Sequence, residues 1–276
     1  MKAEDSFISR DTLVQNWIKR YHLSFLVTIG AYVQFVFDTI KATLWRPPKF
    51  GLIFKQMYNI GIGSLAVVSI TGIFTGLVLA AQSFYQLQNK GLSNVTGLMV
   101  AKAMMTELGP ILTAFMVTGR VGAAICAELG SMQVTEQLDA LRTMAVNPNR
   151  YLVAPRFIAG MLMMPILTLF SVVGGVFGGY LISVFFFGMS PSAYFDAIPL
   201  HITYFDFFSG LAKGFFFGVL IMTISCFKGI TTKGGAEGVG RSTTSSVVIC
   251  YIAILLSNFF LTMLFITFYV QIAKLL

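Results

Sequence analysis

The stretch that decides the fold is "FIAGMLMMPILTLFSVVGGVFGGYLISVFFF", residues 157–187, which contains no charged residue. A helix that crosses a membrane needs about 20 mostly apolar residues, and this run is longer than that. Four more runs meet this length, although one of them contains Lys213. The five runs are 57–85, 98–127, 157–187, 207–227 and 244–273. The sequence therefore predicts five membrane-spanning helices.

The composition of the whole chain agrees with this prediction. Hydrophobic residues make up 56% of the 276 residues, and the mean hydropathy is +0.80. A water-soluble protein has no means of hiding so much apolar surface, so the chain is expected to be an all-α integral membrane protein. The first twenty residues are polar and lack the apolar core of a signal peptide, so we expect that no signal peptide is removed.

The charges between the runs predict the orientation in the membrane. The segments 128–156 and 228–243 each carry three Lys or Arg residues, whereas 188–206 carries Asp196 and Asp206 and no Lys or Arg. Basic loops stay on the cytoplasmic side, so the first two segments are expected to be cytoplasmic and the third external. Five spans then leave the N-terminus in the cytoplasm and the C-terminus outside. The net charge of +8 is explained by this orientation, and no nucleic acid partner is expected.

The N-terminal region contains an apolar stretch, 21–37, that is short for a span. Basic clusters lie on both sides of it, at 19–20 and at 41–55. If the stretch crossed the membrane, one cluster would be external. An interfacial helix keeps both clusters in the cytoplasm, and we prefer that interpretation. We therefore divide the chain into an N-terminal cytoplasmic and interfacial region, 1–56, and a five-span domain, 57–276.

The sequence shows no catalytic site. It lacks the phosphate-binding G-x-x-x-x-G-K-[ST] loop, and its glycine-rich segment 228–243 is better interpreted as a cytoplasmic turn. His22 and His201 belong to no catalytic or metal-binding pattern. Three cysteines lie in or beside apolar runs without metal-type spacing, and we interpret them as packing residues: Cys126, Cys226 and Cys250. We therefore predict a protein that is not an enzyme, with no cofactor and no metal.

Small residues recur at helical spacing in the spans, as in Gly72 and Gly76 or Gly174 and Gly178. A third set lies at Gly210, Gly214 and Gly218. Such patterns let two helices approach closely in lipid. Packing within the chain is favoured over a dimer contact for each of them.

Three charged residues lie inside the apolar runs: Glu107, Arg120 and Lys213. A charge at a helix centre costs about 2.5–3.5 kcal/mol on the insertion scale, so such residues usually face protein or water. Glu107 and Lys213 are both predicted near the external side. They are hypothesised to pair, or to flank a polar lipid headgroup. Arg120 is about 20 Å further along its helix than Glu107, so it is expected either to reach the cytoplasmic headgroups or to form a separate ion pair.

The segment "TEQLDALRTMAVNP", 135–148, joins the second and third spans. Leu138, Leu141 and Ala145 fall on one stripe of a helix, and Pro148 predicts that the helix stops at Val146 or Asn147. Glu136 would lie in the first turn, where it suits the helix dipole. The residues alone leave two interpretations open: a linker helix in the membrane interface, or a helix that docks on a soluble partner.

The stretch 107–160, "ELGPILTAFMVTGRVGAAICAELGSMQVTEQLDALRTMAVNPNRYLVAPRFIAG", resembles the MlaE-type permease family. The shared motifs are E-L-G-P, G-R-x-G-[AS]-A, E-Q-L-x-[AS]-[LM] and M-A-V-[ND]-P, in this order. These proteins are membrane subunits of ABC transporters that move phospholipids between membranes in Gram-negative bacteria. The resemblance implies five spans with an N-terminal interfacial helix, and a cytoplasmic coupling helix at 135–147 between spans 2 and 3.

The resemblance also implies roles for particular residues. The positions expected to couple to the ATPase are Glu128, Thr135, Glu136, Gln137, Asp139, Ala140, Leu141 and Met144. The positions expected to line a lipid pocket at a dimer axis are Leu77, Ala81, Phe84, Tyr85, Glu107 and Lys213. Thr106 departs from the family pattern, in which a basic residue often precedes the E-L-G-P glutamate. Lys102 or Lys213 could supply that charge.

The expected partners follow from the same resemblance. They are a second copy of the chain, a cytoplasmic ABC ATPase subunit, an external ring of MCE-domain proteins, a small STAS-type accessory subunit and the phospholipid itself. The expected location is the bacterial inner membrane. Two other functions remain as alternatives: an ion-coupled secondary transporter that uses Glu107, or a membrane scaffold that recruits a cytoplasmic partner. An ATPase that purifies with the chain would favour the permease.

Overall fold

A computed structural model describes residues 26–45, 48–89 and 91–275, with side chains as far as Gln271. These residues form helices and turns and contain no strand. The helices are α1 (26–45), α2 (Phe50–Gln88), α3 (Ser93–Val134), α4 (Gln137–Thr143), α5 (Asn149–Phe186), α6 (Pro191–Phe195), α7 (Ile198–His201), α8 (Tyr204–Ile230) and α9 (Gly235–Leu275). The prediction of an all-α protein is confirmed.

Among the described residues, five helices are long and apolar enough to cross a membrane: α2, α3, α5, α8 and the Gly235–Gln271 part of α9. The prediction of five spans is confirmed. Each helix begins before its apolar run, and α3 continues seven residues beyond residue 127. The reason is that helical hydrogen bonding continues into the polar flanks, where the apolar pattern has already ended. The short helix α4 lies at one end of this antiparallel bundle, and α6 and α7 lie at the other.

Helix α1 covers most of the apolar stretch that was predicted at the N-terminus, whereas residues 21–25 lie outside the described part. It contacts the last two turns of α8, because the Tyr32 hydroxyl is 2.7 Å from Thr223 Oγ1 and its ring meets Phe227 edge-on. Its C-terminal end lines a cleft beside α4. The middle and the C-terminal end of α1 therefore both meet the α4 side of the bundle, which favours an interfacial helix over a sixth span.

The glycines pack α2 closely against α5. A Cβ atom at Gly76 would overlap the carbonyl oxygen of Gly175, and one at Gly178 would overlap that of Ile73. A Cβ at Gly72 would come within 2.5 Å of the Ser171 carbonyl oxygen. These small residues serve packing within the chain, as expected, and they allow the backbones to approach.

The core of the bundle lies where α3, α5 and α8 meet. All three cysteines, on α3, α8 and α9, are free and buried, so their interpretation as packing residues is confirmed. At the far end, Tyr194 of α6 is fully buried, and its hydroxyl donates to the Val176 carbonyl oxygen at 3.1 Å. Burial raises the pKa of this hydroxyl, because the ionised form would lose its water. No group of His, Cys, Asp and Glu side chains within the described ranges could hold a metal ion.

Candidate functional site

A buried cation lies where α3, α8 and α9 meet. The Lys213 ammonium is 2.6 Å from Glu107 Oε1 and also donates to Thr262 Oγ1 and to the Thr106 carbonyl oxygen, both at 2.8 Å. The Lys213 side chain is only 2% exposed. All three N–H donors are satisfied, which is what a charge excluded from water requires. The structure thus brings together the two residues that the sequence singled out as a pair.

The E-L-G-P motif explains why a carbonyl oxygen is available to this lysine. Pro110 has no N–H, so it cannot bond the carbonyl oxygen of Thr106 four residues earlier. The π-helical segment Met104–Leu108 that precedes it carries Glu107, and such bulges are frequent at functional sites. The Lys213 ammonium takes the released carbonyl oxygen.

This geometry also answers the question raised by Thr106. Lys213 contacts the backbone of Thr106, and the Thr106 hydroxyl donates to the Lys102 carbonyl oxygen at 3.0 Å. Lys102 lies on another side, where its ammonium is 3.8 Å from Asp206. Lys213 therefore supplies the charge beside Glu107, and Lys102 does not.

Two polar residues of α9 complete the cluster. Asn258 Nδ2 donates to Glu107 Oε2 at 3.0 Å, and Thr262 Oγ1 is 2.9 Å from Oε1. Sequence reasoning missed both residues, although their i,i+4 spacing in an apolar span puts them on one helix face and was a usable signal. The Glu107 side chain stays 37% exposed. The cluster therefore opens at the surface of the bundle.

Arg120 forms a second polar site, in the π-helical segment Thr118–Gly122. Its Nη1 donates to Ser64 Oγ of α2 at 2.9 Å, and its guanidinium covers Gly63, where a Cβ would overlap it. Within the described chain, no carboxylate forms a salt bridge with Arg120. The alternative of an intrachain ion pair is therefore not observed there.

The pocket residues on α2 have different contacts from the Glu107 cluster. Leu77 and Ala81 are half-buried, and Phe84 stacks on Phe187 at the end of α5 with ring centroids 4.2 Å apart. Tyr85 is 61% exposed. In a single chain the six predicted pocket residues thus form two groups, one on α2 and one between α3, α8 and α9.

Helix α4 is shorter than the predicted helix at 135–147. It ends at Thr143, because Ala145 adopts a left-handed conformation with φ 59°. The Val146 N–H bonds the Leu141 carbonyl oxygen and the Ala145 N–H bonds that of Arg142, which is a Schellman closure. The expected stop at Val146 or Asn147 is therefore wrong, and Ala145 does not lie on the helical stripe.

The start of α4 also differs from the prediction. Glu136 is left-handed, with φ 58°, and it caps the helix rather than lying in its first turn. Its N–H bonds the Gln133 carbonyl oxygen at 3.2 Å, so it also closes α3. The chain turns at this residue, and the apolar pattern alone does not reveal such a turn.

One side of α4 is anchored and the other is open. Leu138 is fully buried, and Leu141 is half-buried. Asp139 and Arg142 form an exposed ion pair at 2.7 Å, which contributes little to stability. The other predicted coupling positions on this segment are all exposed: Thr135, Glu136, Gln137, Ala140 and Met144.

A salt bridge ties together the two spans that flank α4. Arg156 Nη2 of α5 is 2.8 Å from Glu128 Oε1 near the end of α3, and the Arg156 side chain is 3% exposed. Sequence reasoning singled out Glu128 but used Arg156 only as a marker of orientation. The pair joins α3 and α5 close to α4, although the Glu128 side chain is 59% exposed.

Comparison with known proteins shows which family this chain resembles. A model of the family described as permease MlaE matches residues 53–264. A probable ABC transporter permease protein of Rickettsia typhi is 40% identical over 249 residues, which cover 90% of this chain and 96% of the relative. The intermembrane phospholipid transport system permease protein MlaE of Haemophilus influenzae is 36% identical over 214 residues, with 77% and 82% covered. The chloroplastic protein TRIGALACTOSYLDIACYLGLYCEROL 1 of Arabidopsis thaliana is 38% identical over 211 residues, with 76% and 60% covered.

Proposed function

This chain belongs to the MlaE permease family, and on that premise we propose that it is the membrane subunit of an ABC transporter that moves phospholipids between the inner and outer membranes. The name of the Haemophilus influenzae relative supports this substrate. The subunit acts as a homodimer in the bacterial inner membrane and hydrolyses no nucleotide itself. A separate ATPase drives it, an MCE-domain ring receives the lipid outside, and a STAS-type subunit accompanies the ATPase.

The open face of α4 is the observation that supports an ATPase partner. Leu138 is buried and anchors the helix. The open face consists of Gln137, Ala140 and Met144, which are all exposed. A partner that docks there moves a short helix whose two flanking spans are joined by the Glu128–Arg156 pair. The movement therefore passes to α3 and α5 together, rather than being lost in a flexible loop.

The lipid pocket is proposed to lie between two copies of the chain. The α2 group with Tyr85 and the Glu107–Lys213 group are both partly exposed and are separate in one chain. In the dimer, the apolar residues contact the acyl chains, and the charged pair lies near the headgroup. Glu107 bonds Lys213 and two neutral donors, so it needs no coupling ion to be stabilised.

The test is to purify the chain with its ATPase from variants that carry a lysine on the open face. Ala140→Lys is expected to lose the ATPase and the ATP-driven transfer of a fluorescent phospholipid between vesicles. Ala236→Lys is the matched control, because Ala236 is also exposed on the α4 side but lies outside the segment. Full retention of the ATPase by Ala140→Lys would contradict the coupling role. Lipid transfer by the chain without any ATPase would favour a self-contained carrier.

A further inference from the structure

A large cleft opens on the α4 side of the bundle, far from the proposed transport pocket. Its volume is about 1020 Å³, and we name it the basic cleft. The walls come from α1, the start of α2, and the segment that joins α4 to α5. Leu77, the first pocket residue on α2, lies 28 residues after Lys49, which separates the two sites by about 42 Å along the helix. An occupant of the basic cleft is therefore not the lipid in the transport pocket.

The charge of the lining favours an anion. Lys41, Lys49 and Arg150 contribute three positive charges and Asp38 one negative charge, which leaves a net charge of +2. Lys41 and Lys49 are exposed. Cations from three elements that line one concave surface are suited to a phosphate group, whose oxygens accept several hydrogen bonds.

A tryptophan beside the cleft points to a lipid as the source of that phosphate. The Lys41 ammonium lies 5.7 Å from the centre of the Trp45 ring, and Trp residues are enriched at the level of lipid headgroups. Neighbouring side chains of α1, including Phe37 and Leu44, are exposed and apolar, which suits a helix that lies in the membrane interface. The lysines of the cleft therefore lie where headgroups are.

We propose that the basic cleft binds the phosphate-bearing headgroup of an anionic phospholipid from the leaflet on the α4 side. Lys41 and Lys49 pair with the phosphate, and Arg150 adds to the positive potential. The acyl chains extend past the exposed apolar side of α1. Leu141, Ala145 and Val146 also line the cleft, so the bound lipid holds α1 against the C-terminal end of α4. Neither the transport pocket nor the open face of α4 takes part in this binding.

The test uses the tryptophan of the cleft as the reporter. The chain has two tryptophans, so the full-length chain carrying Trp17→Phe reports from Trp45 alone. Brominated phosphatidylglycerol or brominated phosphatidylcholine is titrated into the protein in detergent micelles, and quenching of Trp45 gives the relative affinity. We expect phosphatidylglycerol to bind more tightly. Lys49→Gln should lower this preference about five-fold, the equivalent of about 1 kcal/mol for one cation near headgroups.

The control is Lys55→Gln, because Lys55 is an exposed lysine in the first turns of α2 but does not line the cleft. Its preference should equal that of the Trp17→Phe parent. Equal quenching by the two lipids would overturn the proposal, and so would an equal loss in Lys55→Gln and Lys49→Gln, which would indicate a diffuse surface charge. If millimolar inorganic phosphate abolished the preference for phosphatidylglycerol, the site would take free phosphate instead of a lipid. Binding is measured without ATPase or transport, so failure of the proposed function would leave the result unchanged.

Discussion

At the scale of single residues, Lys213 depends strongly on its partners, because it is a cation buried away from water. Its three bonds lead to a carboxylate, a hydroxyl and a carbonyl oxygen. Glu107 is different, because its side chain is partly exposed and would still bond Asn258 and Thr262 without Lys213. Removal of Glu107 therefore leaves a buried charge uncompensated, whereas removal of Lys213 does not.

The first prediction follows from this asymmetry. Glu107→Ala is expected to destabilise the protein by about 3 kcal/mol or more, the usual cost of breaking a buried pair. Lys213→Met should cost less, and the double variant Glu107→Ala/Lys213→Met should be more stable than Glu107→Ala alone. Thermal unfolding of the purified variants in detergent provides the comparison. The explanation is wrong if the second substitution brings no recovery.

The second prediction concerns Ala145, which occupies the left-handed position that glycine usually fills in a Schellman closure. Ala145→Gly removes the strain of that conformation and should stabilise the end of α4 by about 1 kcal/mol. Ala140→Gly is the matched control, because the same change inside the helix should destabilise it by about 1 kcal/mol. Hydrogen exchange of the 137–144 amides should slow in the first variant and quicken in the second. A change in the same direction in both would contradict the argument.

The residues that could be predicted share one physical property. Glu107 and Lys213 are conspicuous because a charge in an apolar run is costly, so the sequence alone indicates that each needs a partner. Asn258 and Thr262 are neutral and common, and their role depends on a contact between helices about 150 residues apart in sequence. The ion pair of Arg156 was not predicted, because this arginine lies in a basic segment and was interpreted as an orientation signal.

At the scale of helices, the number and position of the spans were predictable, whereas the ends of the helices were not. A run of apolar residues reports the membrane-embedded part, so all five spans were identified. The end of α4 depends on the left-handed backbone of Ala145, a residue type that gives no warning of it. The apolar pattern of the sequence therefore does not predict where α4 ends.

The third prediction tests the close contact between α2 and α5. Gly76→Ala places a methyl group against the Gly175 backbone, which has no flexible side chain that could move aside. We expect a loss of about 2 kcal/mol or more, of the size seen when a packed core is overfilled. Gly51→Ala is the control, because a Cβ there meets nothing within 4 Å. It should be neutral or slightly stabilising. Melting temperatures measured in one detergent would compare them, and equal values would contradict the packing argument.

At the scale of the whole molecule, the bundle has two chemically different ends. The α4 end carries the basic segments and the basic cleft, and the opposite end carries Asp196, Asp206 and the buried Tyr194. The charges therefore indicate an orientation, although the shape of the bundle does not. The proposed lipid pocket lies between two copies of the chain, so the sequence could indicate it only through family resemblance.

The last prediction is the orientation itself. The basic segments on the α4 side should face the cytoplasm, and the 188–206 segment should face outward. The native cysteines are all fully buried, so single cysteines can be added to the natural chain. Ser192→Cys should react with a membrane-impermeant maleimide in intact spheroplasts, whereas Ala236→Cys should react only after lysis, since both positions are exposed but lie at opposite ends. The reverse pattern would put α4 outside the cell, where no cytoplasmic ATPase could reach it. Labelling of both positions in intact spheroplasts would contradict the antiparallel crossing, because α8 separates the two segments with one passage through the bilayer.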